Sequence, residues 1–125
     1  MSFQVYQIES FDEPWWFEDD WYEQVVAVET TDDLVTAAVI FQNKSLKLQN
    51  LFPKSCSRVE GMLAFWQPGE TAWCEPCAND EQIYHSLVLY ENQQALTSER
   101  VDELTQILEG LRSNHSEQNK LEEEG

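Results

Sequence analysis

From Leu34 onward, apolar side chains recur at Ala38, Phe41, Leu48 and Phe52, a spacing that returns them to one face of a helix. Thr30-Thr31-Asp32-Asp33 stands in front of this stripe. A threonine there can cap free backbone N–H groups, and the acids meet the positive end of the helix dipole. Lys44 and Lys47 fall in its C-terminal half, where cations are favoured, and Pro53 ends it. The pattern predicts a helix over about 32–51. A one-sided helix must bury its stripe against a second layer, so the rest of the chain has to supply that layer.

The flanking segments read as strands. Phe3 to Ile8 alternates, with Phe3 and Val5 on one face and Tyr6 and Ile8 on the other. Residues 22–29 fit strand or helix, and their β-branched residues favour strand. Gly61 to Trp66 reads as a strand, Gln67-Pro68-Gly69-Glu70 as a turn, and Thr71 to Cys74 as the return strand. Ile83 to Tyr90 alternates again. The expectation is a three-stranded antiparallel meander that the first strand can join. Thr97 or Ser98 then caps a second helix over about 98–111, with Val101, Leu104, Leu108 and Leu111 on one face. The fold class expected is α+β: a small two-layer fold, an antiparallel sheet of three to four strands with both helices on one face. A single domain should cover 1–112, and 113–125 should form an acidic, disordered tail.

Composition sets limits on function. With 42% hydrophobic residues the chain is too apolar to be disordered throughout, and 125 residues are enough for one core without disulfides or metal. The net charge of −17 opposes phosphate backbones and anionic membrane surfaces. Of seven basic residues, Lys44, Lys47, Lys54 and Arg58 fall in one short stretch, the only place a phosphate-binding patch could form. No apolar run is long enough to span a bilayer, and no basic-then-apolar leader opens the chain. Three cysteines without a framework spacing point to a cytoplasmic, reducing location.

Trp73-Cys74-Glu75-Pro76-Cys77 resembles the Trp-Cys-x-Pro-Cys active site of the thioredoxin family. There the first thiol is a nucleophile at a helix N-terminus, with a facing cis-proline. Here no proline follows Pro76, and only one strand and one helix remain downstream. The same pair, with His85 and Cys56, forms a candidate tetrahedral zinc set, although strong zinc signals contain two close pairs. The plain reading keeps the cysteines as small, partly buried residues at a strand end and His85 as a half-buried sheet residue. No cofactor is expected, with zinc as the alternative. No glycine-rich phosphate loop and no Ser/His/Asp arrangement is present.

The first third of the chain is unusual. No lysine or arginine occurs before Lys44, while Glu13-Pro14-Trp15-Trp16-Phe17-Glu18-Asp19-Asp20-Trp21-Tyr22 mixes acids with large aromatics. Part of that aromatic mass should enter the core. Adjacent Trp15 and Trp16 cannot both point inward from a regular strand, so one of them should be at least partly exposed. Trp15, Trp16, Glu18, Asp19, Asp20 and Trp21 are the candidate contact surface for a basic protein or peptide.

Phe11-x-Glu13-Pro14-Trp15-Trp16-Phe17, the acids that follow with Trp21, Ala64-Phe65-Trp66, Trp73-Cys74-Glu75-x-Cys77 and Tyr84-His85-Ser86 together resemble a small bacterial family called domain of unknown function 1033. The resemblance covers about residues 4–92. It implies a cytoplasmic protein, and many members carry a DNA-binding label. It implies no catalytic residue. The expected function is therefore a non-catalytic interaction module that binds a basic partner. The alternatives are a nucleic-acid-associated regulator using Lys44, Lys47, Lys54 and Arg58, or a zinc or thiol-redox protein using Cys74 and Cys77.

Overall fold

The computed structural model describes the backbone of residues 1–124, and side chains as far as residue 113. Helix α1 spans Leu34–Leu51. Its N-cap is Asp33 rather than a threonine: Asp33 Oδ2 accepts the Thr36 N–H at 2.9 Å and the Thr36 hydroxyl at 2.8 Å. The helix buries Ala37, Ala38, Phe41, Ser45 and Leu48 along one stripe. Phe52 closes it by donating its N–H to the Leu48 carbonyl, and Pro53 follows.

The main sheet is built from β1 (Phe3–Ser10), β2 (Val25–Thr31), β3 (Lys54–Val59), β4 (Met62–Trp66) and β7 (Tyr84–Glu91). Its order is β2-β1-β7-β4-β3, antiparallel throughout, and a short β8 (Gln94–Ala95) pairs with the end of β7. The expected meander does not form. β4 pairs directly with β7, while β5 (Thr71–Cys74) pairs with β6 (Asn79–Gln82) in a separate two-stranded hairpin. The reason lies in apolar content: Thr71, Ala72 and Trp73 are all exposed, so β5 has little to bury in the sheet. β3 escaped the periodicity reading because Lys54-Ser55-Cys56-Ser57-Arg58-Val59 is polar. It occupies an edge, where lysine and a register shift between Cys56 and Val59 are tolerated. The class is α+β as expected, with more strands.

Alternation assigns the two sheet faces. Phe3, Val5, Leu87, Leu89 and Phe65 meet α1 and the second helix, α2 (Ser98–Glu124), which contributes Leu104 and Leu108. Both helices thus cover one face. The Thr97 hydroxyl accepts the Arg100 N–H at α2's start, and Arg100 pairs with Glu91 on β7 at 2.9 Å. Gly61 has φ +96° and lies against this core: an added Cβ would stand 3.2 Å from Leu104 Cδ2. The opposite face carries Tyr6, Ile8, Val88 and Tyr90, covered by Phe17, Trp21, Val25 and Met62. Some of the acidic-aromatic segment is therefore a lid on the second face. The helix expected to end near 111 runs on as α2 backbone through Glu124. The side chains beyond residue 113 lie outside the described residues.

Two outcomes test this packing. Leu104→Ala should cost about 2–5 kcal/mol in urea unfolding, because Leu104 is fully buried between α2 and the sheet. Hydrogen bonds from the Thr36 hydroxyl and Thr36 N–H hold the Asp33 carboxyl below its ordinary value. Its stabilisation is therefore full above the unfolded value, about pH 4, and is lost as pH falls through the lowered folded value. Asp33→Ala should lower Tm at neutral pH, and the gap from wild type should narrow as pH falls below about 4.

Candidate functional site

The acidic-aromatic segment is held by two single turns of 3-10 helix, Pro14–Trp16 and Trp21–Gln24. Pro14 opens the first turn, where its missing N–H costs nothing, and Phe17 closes it by donating to the Pro14 carbonyl. Trp21 N–H bonds the Glu18 carbonyl at 3.1 Å, which brings the three acids Glu18, Asp19 and Asp20 outward in a tight bend. Pro14 is buried, Trp15 and Phe17 are half-buried, and Trp16 is 58% exposed. The neighbouring tryptophans split between inside and outside, as adjacency required.

Arg58 reaches from β3 and places its guanidinium 5.4 Å from the Trp15 ring centroid and 5.3 Å from that of Trp16. Lys44 lies 3.8 Å from Glu29 and bonds Gln7. Two of the four basic residues proposed for phosphate contact are therefore engaged within the chain. Lys47 and Lys54 are exposed, on α1 and β3 respectively.

Trp21 is half-buried and stands edge-on to Tyr6 at 4.9 Å, to Tyr90 at 5.0 Å and to Tyr22 at 6.4 Å. Burial pushes the hydroxyls of Tyr6 and Tyr90 up from their ordinary values, and at Tyr90 the neighbouring Tyr6 adds to the effect. Both stay neutral phenols at physiological pH. Their rings lie in the cluster on the second sheet face, against which Trp21 packs.

A cleft of about 590 Å³ opens between this segment and the β5–β6 hairpin. Asp12, Glu18, Asp20 and Trp21 form one wall, and Cys74, Pro76, Cys77 and Glu81 the other; no lysine or arginine lines it. The negative field is felt by a neighbour: the Tyr84 hydroxyl is raised first by burial and then by the charges of Glu13, Asp12 and Glu81. Glu81 was not singled out as a site residue, because β6 was not recognised and the strand before it was assigned to the main sheet. The one available signal was the acid-rich Glu75 to Glu81 turn following an exposed strand.

Cys74 and Cys77 are joined by a disulfide across the hairpin turn, with their Cα atoms 5.2 Å apart. Cys74 is buried at the end of β5, as expected, whereas Cys77 faces the solvent. The turn closes through the Ala78 N–H to the Glu75 carbonyl, with Ala78 at φ 52°. The motif thus sits in a β-hairpin and not at a strand–helix junction. It lacks the helix N-terminus and the cation that stabilise a catalytic thiolate.

The four zinc candidates are not brought together. His85 Nε2 lies 2.8 Å from Glu70 and its ring stacks on Phe52 at 4.3 Å, while Cys56 is half-buried on β3. Among the described residues no group of three or more His, Cys, Asp or Glu side chains is arranged to hold a metal ion. Among them, too, no helix is long and apolar enough to cross a membrane.

A family model described as "Protein of unknown function (DUF1033)" matches residues 2–120. The chain belongs to this family. The match takes in α2, which the resemblance over 4–92 had left out. No curated protein matches the chain, and no solved structure does.

The disulfide carries its own test. In denaturant without reductant, iodoacetamide should label Cys56 alone; labelling of all three cysteines would show the pair to be reduced. Because the bridged residues are only three apart in sequence, reduction should lower stability by no more than about 2 kcal/mol.

Proposed function

We propose that the protein is a non-catalytic interaction module that holds a basic segment of a partner protein in the cleft between the acidic-aromatic segment and the β5–β6 hairpin. The observation that carries this reading is the lining: Asp12, Glu18, Asp20 and Glu81 line the cleft with Phe17 and Trp21, and among the described residues no basic side chain lines it. Low-dielectric walls bearing one sign of charge focus their field into the space between them. Acids there speed the approach of a cationic partner and select against acidic ones. The aromatic walls add contact area that a solvated acidic surface alone does not. A chain with a net charge of −17 also repels acidic and phosphate-rich competitors.

The test is titration of a lysine- and arginine-rich decapeptide into two variants of matched charge. Asp12→Asn/Glu18→Gln/Asp20→Asn removes three charges from the cleft, and Glu99→Gln/Asp102→Asn/Glu109→Gln removes three from the exposed face of α2. At about 0.5 kcal/mol or more for each lost charge pair, the cleft variant should bind at least about tenfold more weakly at low salt. The α2 variant should stay close to wild type. Equal loss in both variants would mean that only net charge matters, and the cleft reading would be wrong.

A further inference from the structure

Trp21 also lines a second hollow, of about 360 Å³, together with Tyr6, Tyr22 and Gln93. Three of its four walls are aromatic. The rings stand nearly at right angles: 75° between Tyr6 and Trp21, and 84° between Trp21 and Tyr22. In each contact one ring turns its edge to the other's face, which leaves the edge-on ring's own faces uncovered by that partner. Tyr6 is 8% exposed and fixed in β1, whereas Tyr22 is 62% exposed and forms the open wall.

The fourth wall is held at a cost. Asn92 and Gln93 both have positive φ, 52° and 65°, in the turn between β7 and β8. Glycine or asparagine adopts this conformation more easily than glutamine. The Gln93 N–H is pinned to Gln4 Oε1 at 2.7 Å, so the residue is set at the rim by the strand below it. A glutamine in that place supplies what glycine cannot, a neutral polar side chain beside the rings.

The charge around the hollow has one sign. Asp19, Asp20 and Glu23 are exposed and flank Trp21 and Tyr22 in the chain, and no lysine or arginine lines the space. Elsewhere the same molecule places cations over its aromatic rings: Arg58 over Trp15 and Trp16, and Arg100 over Phe3 at 5.6 Å. At the Trp21 hollow the rings and the acids are present, and among the described residues no cation stands over them.

We infer that this hollow is an aromatic cage for an alkylammonium head, carried by a lysine-type side chain of the basic segment in the adjoining cleft. The inference rests on the cleft reading for the identity of the carrier, and Trp21 is the wall that the two spaces share. Ring faces attract a cation through their quadrupole, most strongly when it is desolvated. The surrounding carboxylates raise its local concentration.

The test uses choline and its neutral carbon isostere, 3,3-dimethylbutanol, at matched ionic strength. Binding is read from the Trp21 indole and Gln93 amide resonances. Choline should give saturable shifts and the isostere none. Tyr22→Ala, at an exposed position, should weaken choline binding at least about fivefold, while Tyr22→Phe should retain it. Equal binding of the isostere, absence of saturable choline shifts, or an unchanged Tyr22→Ala variant would each overturn the cage. The lysine-rich peptide should displace choline; failure to displace it would overturn the assignment to a partner's side chain. Should Tyr22→Ala change neither ligand while the cleft variant still loses the peptide, the cage falls and the cleft reading stands. Should choline binding depend on Tyr22 while the cleft variant binds peptide normally, the cleft reading falls and an alkylammonium site remains.

Discussion

Ser86 to Tyr90 on β7 are buried in an unbroken run, so both faces of the central strand are closed to water. A strand of this kind needs a cover on each side. Two helices supply the first, burying Phe41, Leu104 and Leu108 against Leu87 and Leu89. No helix is left for the second. Phe17 and Trp21 therefore come down on Tyr6, Val88 and Tyr90, held by short turns that a proline and a tight acidic bend make possible.

This requirement divides the labour within the acidic-aromatic segment. Phe17 and Trp21 are held half-buried where they close the second face, whereas Trp16 and Tyr22 are exposed to other molecules. Arg58 covers part of the Trp15–Trp16 pair from β3, so the first cation in that region is internal. The acids between the aromatics have no such place in a core. They face water along the rim of the cleft and the hollow that meet at Trp21.

The strongly periodic elements were legible before any coordinates. α1 buries one stripe, and β1, β4 and β7 pack apolar residues into the core, so their apolar spacing marked them in the sequence. β3 was not legible, because an edge strand that faces solvent on both sides carries no such period. The pairing of β5 with β6 was also hidden. The Gln67-Pro68-Gly69-Glu70 turn told that the chain reverses, but not that the strand after it leaves the sheet. The cysteine spacing was compatible with metal, redox or packing roles, since Cys-x-x-Cys fits them all. The hairpin turn around Ala78 brings the two sulfurs together, which the spacing alone did not tell. Half of the cleft was legible in Glu18, Asp20 and Trp21; Glu81 and the disulfide wall depended on where the hairpin went.

By itself the sequence determined the α+β class, the length and stripe of α1, the acidity of the body and the family to which the chain belongs. These follow from local spacing and from composition, which need no partner segment to be read. Only the tertiary structure decided which aromatics are core and which are surface, that Arg58 sits on tryptophans, and that a disulfide hairpin faces the acids. Each of those depends on contacts between residues far apart in the chain. Side-chain chemistry allows many such contacts, and the burial demands of β7 select among them.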